Sequence, residues 1–290
     1  MDLAEFAEEV GNHGQVTIAG LSTRGGPVGG MRVVMAPNGI DWVRPEEMTV
    51  QCGAGVPVDE LDEALAEHGQ AVAIPPTGTV GGALAVGHSG IRRLGYGPIR
   101  DTVLQARYVS AEGAVVKAGG PTVKNVSGFD LCRLLVGSRG TLGFIGEVIL
   151  RTRPRAKFEQ WYVAPVDPFE LFPRLYRPTS VLWDGTVVWV LLEGHRDDVV
   201  AQASALGLRD ADPPAHIPTG GRWSLPPSRL HELRGDGRFI AEVGVGIVHQ
   251  DSSPPRRGVS PEIVELHRRI KHHFDPNGRL NPGVDVLDPS

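Results

Sequence analysis

Hydrophobic and polar positions alternate in short bursts along most of the chain. "QVTIAG" (residues 15–20), "MRVVMAP" (31–37), "IDWVRPE" (40–46) and "MTVQCGAG" (48–55) each predict a short strand, with Asn38-Gly39 as the turn between the second and third. A longer pair, "TVLQARYVS" and "AEGAVVKAGG", predicts two strands around a turn at Glu112-Gly113. A further strand is expected over Phe144–Arg151, ending before Pro154. The period changes toward 3.6 in five places. These are residues 2–11, "PVDELDEALAEHG" from Pro57 to Gly69, residues 131–136 behind Asp130, "DDVVAQASALG" from Asp197, and "SPEIVELHRRIKHHF" behind Ser260 and Pro261. Asp130 and Ser260 are expected as N-caps, because short polar side chains satisfy the free N–H groups of a first helical turn.

The texture divides the chain. Residues 1–153 carry many short strands, few helices and tight turns, and divide further near residue 73 into 1–73 and 74–153. Residues 154–250 hold Trp161, Trp183, Trp189 and Trp223 and read as a second, smaller unit; residues 251–259 are a polar, proline-rich connector, and 260–290 a helix and tail. The fold class that this pattern predicts is α+β. The tryptophans read as core rather than as a substrate cage.

Composition narrows the function. At 41% apolar and 22% charged residues the chain is an ordinary globular protein, but 38 Gly and 24 Pro make it rich in turns. The net charge is −5 and no basic stripe appears, which argues against nucleic acid or an anionic membrane surface as main partner. Cys52 and Cys132 form no CxxC or Cys/His cluster and read as two buried, reduced thiols in a cytoplasmic chain. The segment "MDLAEFAEEV" lacks the features of a signal peptide, and no apolar run reaches the roughly 18 residues of a membrane span. No metal site is expected: His272 and His273 are adjacent on a helix, so their side chains diverge by about 100°.

The candidate chemistry lies in four glycine clusters, at residues 20–30, 78–90, 119–128 and 137–146. Three familiar motifs fail on residue identity. "GAGVPV" lacks the third glycine of a dinucleotide fingerprint, no Gly-Lys pair exists for a P-loop, and "GHSG" is followed by Ile91 where a nucleophile elbow needs glycine. A pyrophosphate can still be held by successive backbone N–H groups in a turn, and Gly20, Ser22, Thr23 and Gly25 behind the strand "VTIA" suit such a nest. "PPTGTVGGALAVGHSG", residues 75–90, interleaves turn residues with Val80, Ala83, Leu84, Ala85 and Val86. It is expected to be a strand–turn segment whose glycines let a flat ring lie against the backbone, since a helix tolerates that much glycine poorly. Compact turns with no ligand are the alternative.

The runs "PPTGTVGGALAVGHSGIRRLGYGPIRDTV", "GGPTVKNVSGFDLCRLLVGSRGTLGFIGEVILRTRP" and "FDPNGRLNPG", in that order, resemble the PCMH-type FAD-binding proteins of the vanillyl-alcohol-oxidase, or FAD-linked oxidase, family. Within it the chain is most similar to the FAD-binding E subunits of glycolate oxidase. The resemblance implies a two-subdomain FAD domain, a cap over the isoalloxazine, and a tail that rejoins the first domain. It implies FAD contacts at Gly20, Leu21, Ser22 and Thr23, then Pro76, Thr79, Val80, Gly81, Gly82, Gly87, His88 and Ser89, then Gly140, Thr141, Gly143, Ile145 and Asn281. Leu21 departs from a glycine common in the family. Neither His nor Cys lies between Gly14 and Met31, so the flavin is expected to be held non-covalently. The implied activity is oxidation of a 2-hydroxy acid such as glycolate or lactate. Electrons would pass to a partner within an assembly holding a larger flavin subunit and an iron–sulfur subunit, in the cytoplasm or at the inner membrane face. A non-catalytic FAD-binding or electron-relay subunit is the alternative.

Single residues carry less. Lys124 and Asn125 suit a turn or an anion contact. Arg92, Arg93 and Arg100 suit solvent or a carboxylate, which a planar guanidinium grips bidentately. His195 and His249 are conceivable proton acceptors, and no catalytic base is assigned.

Overall fold

The computed structural model describes residues 1–120, 130–233, 238–255 and 258–287. The elements run in chain order as α1 (Leu3–Val10), β1 (Val16–Ala19), β2 (Arg32–Met35), β3 (Ile40–Arg44), β4 (Thr49–Gly53), α2 (Val58–Ala66), β5 (Gln70–Ala71), α3 (Val80–Val86) and α4 (Arg93–Tyr96). There follow β6 (Val103–Val109), β7 (Val115–Gly119), α5 (Leu131–Leu135), β8 (Phe144–Arg151), β9 (Arg153–Pro154), β10 (Phe158–Ala164), α6 (Pro168–Leu171), β11 (Ser180–Trp183) and β12 (Val188–Gly194). The chain closes with α7 (Arg196–Ala205), β13 (Arg209–Ala211), β14 (Gly221–Ser224), β15 (Phe239–Glu242), β16 (Ile247–Gln250) and α8 (Pro261–Phe274). The fold is mixed helix and sheet, in two compact units: Met1–Gly90 with Pro98–Arg155 and Val259–Leu287, and Ile91–Gly97 with Ala156–Gly258.

In the first unit, β1 and β2 pair in parallel, and a five-stranded antiparallel sheet runs β3-β4-β8-β6-β7. Asn38-Gly39 therefore joins strands of two different sheets rather than closing a hairpin. The crossing backbone is accommodated by "GAG": the Gly55 N–H donates to the Pro37 carbonyl at 2.7 Å, and a Cβ at Gly55 would lie 2.5 Å from the Ala36 carbonyl oxygen. The hairpin at Gly113 does form, with that glycine at φ +76°. Helix α2 buries Val58, Leu61 and Leu65 against the main core. Asp130 caps α5 through Arg133 N–H, and Ser260 caps α8 through Ile263 N–H.

The C-terminal tail is fixed to this unit by two buried charged groups. The Asp275 carboxylate accepts from Arg279 N–H at 3.0 Å, Leu280 N–H at 2.8 Å and Lys271 Nζ at 2.5 Å. The Arg279 guanidinium, on a residue only 4% exposed, donates to the carbonyls of Val10, Gly11, His13, Gly14 and Ala111. Burial holds it below its ordinary pKa, neighbouring Arg32 adding to the effect. Five carbonyl dipoles take the place of water around the cation, which is what permits a guanidinium at that depth.

The second unit is a seven-stranded antiparallel sheet, ordered β13-β10-β12-β11-β15-β16-β14. One face, with Tyr162, Val181, Val188, Val190 and Leu192, packs under α7. Trp183 stands edge-on to Phe169 and Phe239 in that layer, and Trp223 Nε1 donates to Gln250 at 2.8 Å, so these tryptophans are structural. Arg92 binds Glu159 at 2.8 Å and the buried Glu193 at 2.7 Å, joining the α4 turn to β10 and β12. Hydrogen bonding to Glu159 raises the Arg92 pKa, so Arg92 is an ion-pair partner rather than a solvated cation.

Candidate FAD-binding site

Three turns of the first unit hold nearly all the sequence-predicted site residues. The first follows β1. Gly20, Leu21, Ser22 and Thr23 are exposed there, and Ser22 takes a left-handed φ of +54°. Among the described residues the N–H groups of Leu21 and Ser22 make no hydrogen bond. A turn that bends through the left-handed region points successive N–H groups to one side and forms a concavity for anions. This is the feature of the turn that fits a pyrophosphate.

The second turn, Pro75–Gly78, is clamped to the first. Arg24 donates to the Thr77 carbonyl at 2.5 Å and to Thr77 Oγ1 at 3.1 Å. Gly78, at φ +74°, has its missing side chain aimed at Thr23 Oγ1, and a Cβ at Gly20 would sit 3.0 Å from Thr79 Oγ1. Burial lowers the Arg24 pKa.

The segment after Gly78 departs from the expected strand–turn. Val80–Val86 is a helix, capped by Thr79, whose Oγ1 accepts from Gly82 N–H at 3.1 Å. Tertiary contacts outweigh glycine's poor helix propensity. The Val80 N–H donates to Val56 O at 2.9 Å and the Gly81 N–H to Ala54 O at 2.6 Å, while a Cβ at Gly81 would lie 2.8 Å from Ala54. The N–H groups at this helix start are thus engaged by the protein itself. Gly81 serves helix packing, and Gly82 meets only its own cap.

The third turn packs on the end of α3. Gly137 N–H donates to Leu84 O at 2.9 Å and Arg139 N–H to Ala85 O at 2.8 Å, and a Cβ at Gly87 (φ +72°) would come within 2.9 Å of Gly137 Cα. A Cβ at Gly140 would lie 2.7 Å from Asn281 Nδ2, and Gly143 abuts the Tyr108 ring. Thr141 Oγ1 donates to Ser138 O at 2.7 Å. Ile145 faces the main core on β8, opposite Tyr108. Asn281, 8% exposed, uses its side chain on Arg139 and Ile18. The Ser89 hydroxyl accepts from Ile99 N–H at 3.0 Å; His88 beside it is half-buried and Pro76 is exposed.

Other candidates separate from this group. Lys124 and Asn125 lie outside the described residues. Arg100 is exposed beside Asp101, His195 precedes α7 without capping it, and His272 and His273 are exposed. Cys52 and Cys132 are free and buried, and burial pushes the Cys52 thiol up to about 12. His249 lies in the second unit, its Nε2 2.8 Å from Glu242 Oε1. That partner was not legible beforehand, because only sheet register brings the two together. Among the described residues no group of three or more His, Cys, Asp or Glu could hold a metal, and no helix is long and apolar enough to cross a membrane.

The turns fit FAD in one defined respect, an exposed N–H nest braced by a clamped second loop. Comparison with known proteins agrees. The FAD binding domain family matches residues 3–119, and the C-terminal domain of FAD linked oxidases matches residues 233–284. The chain is 28% identical over 311 residues to the glycolate oxidase subunit GlcE of Escherichia coli, covering 89% of this chain and 88% of that one. It is 43% identical over 111 residues to a D-lactate dehydrogenase of Archaeoglobus fulgidus, a stretch of 37% of this chain and 25% of that protein. A solved structure of alkyldihydroxyacetonephosphate synthase shares the fold, with a TM-score of 0.67 at 17% identity over 97% of this chain and 74% of that one. With both matches present in order along the chain, it carries the FAD binding domain and, after it, the C-terminal domain of the FAD linked oxidases.

Proposed function

We propose that this FAD-linked oxidoreductase acts on the CH–OH group of a 2-hydroxy acid such as glycolate or lactate, as one subunit of an assembly that receives the electrons. The observation that carries this reading is the similarity to a glycolate oxidase subunit over nearly the full length of both chains. Bound flavin would supply the two-electron acceptor; the chain's part is to hold and orient it. On this reading the Leu21 and Ser22 N–H groups and the Ser22 hydroxyl face the pyrophosphate. Arg24, spent on Thr77, fixes the spacing of the two loops. Pro76, Thr79, His88 and Ser89 then line the second loop and Gly140 and Thr141 the third, with their main chain toward the cofactor. A larger flavin subunit and an iron–sulfur subunit are the partners that this reading implies.

The test is the visible spectrum of the purified chain, before and after anaerobic addition of glycolate, D-lactate and L-lactate. A flavin spectrum bleached by one of these acids supports the reading, and a colourless protein that takes up no added FAD refutes it. A second reading, a FAD-binding or electron-relay subunit without its own turnover, draws on the fact that the E. coli relative is named as a subunit. Bleaching that requires a co-purified partner chain would favour it.

A further inference from the structure

Charged side chains from three neighbouring strands of the second unit share one face of its sheet. Arg222 on β14 stands directly opposite His249 on β16, which stands opposite Ile240 on β15, and Glu242 follows two residues along the same face. Directly opposed side chains in a sheet have Cβ atoms about 5 Å apart, within reach of long polar groups. His249 Nε2 is 2.8 Å from Glu242 Oε1. Glu242 is 2% exposed, and its other oxygen, Oε2, is buried without a hydrogen-bond partner; so is Arg222 Nε. An orphaned acceptor and an orphaned donor on one face are costly to keep unless something pairs with them.

The α4 turn adds a second guanidinium. Gly95 N–H donates to the Thr179 carbonyl at 3.1 Å, just before β11, and Leu94 lies against Gly244 at the β15–β16 turn. Arg92 is committed to Glu159 and Glu193, whereas Arg93 enters no ion pair among the described residues. Burial pushes the Arg222 guanidinium below its ordinary value, Glu242 opposing this and Arg93 reinforcing it, so the two arginines and the carboxylate act on one another. Two guanidinium groups and one carboxylate leave one positive charge in excess. A monocarboxylate neutralises it, and guanidinium is the group that binds carboxylate in a fork. An ionised carboxylate only accepts, so His249 Nε2 carries the proton of the Glu242 bond, and in the neutral imidazole Nδ1 is then left as an acceptor. The group thus offers donors for a carboxylate and acceptors for a hydroxyl.

We propose that Arg222, Arg93, His249 and Glu242 form a receptor for a small 2-hydroxy carboxylate. The guanidinium groups hold the carboxylate, and His249, oriented by Glu242, accepts the hydroxyl hydrogen bond. This rests on the 2-hydroxy-acid reading above and assigns that reading its residues.

The test is calorimetric titration of the full FAD-loaded chain with glycolate, acetate and sulfate, for the natural protein and for R93Q, R222Q, R222K and H249Q. Glycolate is expected to bind about tenfold tighter than acetate. R93Q and R222Q weaken both carboxylates about tenfold, R222K weakens them less, and H249Q removes the preference for glycolate while leaving acetate unchanged. Glycolate binding within about twofold of the natural protein in both R93Q and R222Q, glycolate no tighter than acetate, or sulfate as tight as glycolate overturns the proposal. Should R222Q fail to fold by circular dichroism, R93Q and R222K decide. Flavin bleached by glycolate with unchanged binding in R93Q and R222K refutes the receptor and leaves the proposed function. Glycolate bound by a chain that takes up no FAD does the reverse.

Discussion

Asn281 donates its side-chain amide to the backbone carbonyl of Arg139 at 2.7 Å, across 142 residues of sequence. Its Oδ1 accepts from Ile18 N–H at 3.3 Å, so one side chain joins the C-terminal tail to both the third turn and β1. Asn281 itself is held at φ +43°, a region that asparagine tolerates better than most residues. Asn281→Ala leaves the Arg139 carbonyl and the Ile18 N–H without this partner, and a cost of about 1–3 kcal/mol is expected. Urea denaturation of the apo protein measures it. An unchanged midpoint would mean that water replaces the amide at no cost.

Arg279 is expected to matter more. Its guanidinium gathers five carbonyls from the last residue of α1, the segment between α1 and β1, and the β6–β7 turn. Arg279→Met keeps much of the volume but leaves buried carbonyls unpaired. A loss of about 3 kcal/mol or more follows from several unsatisfied acceptors. Arg279→Lys should recover only a fraction, because a single ammonium has three donors and no fork. A Lys variant as stable as the natural chain would show that charge alone suffices. Limited proteolysis should then report early release of the tail in the Met variant.

Gly78 sets the distance between the first two loops. It combines a φ of +74° with a missing side chain aimed at Thr23. Gly78→Ala adds about 1–2 kcal/mol of left-handed strain and pushes the loops apart. FAD affinity is expected to fall about tenfold or more, read by fluorescence quenching on titration of apo protein. Gly82→Ala is the control: its Cβ meets only Thr79 Oγ1, at 3.0 Å, and its helical backbone suits alanine. Equal losses in both variants would mean that the spacing of the loops is not what the cofactor needs.

These residues also show where the fold was legible beforehand. Helix α2, the Gly113 hairpin and the Ser260 cap follow from local rules, in which a proline start, a turn glycine and a capping hydroxyl act within a few residues of themselves. Helix α3 was hidden, because "VGGALAV" scores poorly as a helix by propensity and is held by Val56, Ala54 and the third turn. Asn38-Gly39 carried a hairpin signal, yet the β1–β2 pairing draws β2 away from β3. The three glycine turns were legible as a set. Most of their glycines, however, make room for Thr23, Ala54, Gly137, Asn281 and Tyr108, chain against chain. Buried charge was the least legible feature. Arg279 and Asp275 look like surface residues in sequence, and Glu242 meets His249 only once two strands are in register.

Cys52 carries an alkaline limit on stability. Burial, and secondarily Asp41, raises its thiol from the ordinary 9.0 to about 12. Cys132, Tyr108 and Tyr162 are shifted in the same direction, each chiefly by burial. An acid whose folded pKa is raised stays protonated in the native state after the unfolded chain has ionised. Its contribution is therefore complete below about pH 9 and is lost progressively as the pH rises toward about 12. The urea midpoint is expected to hold to about pH 9 and then to fall. Cys52→Ala should lose some stability at neutral pH through the small cavity, yet show a shallower alkaline fall, since one of the groups that must ionise is gone. Thiol reagents at neutral pH should reach Cys52 only on unfolding, because the thiolate is the reactive form. An alkaline slope identical in Cys52→Ala and the natural chain, or rapid native labelling of Cys52, would place the thiol in contact with solvent.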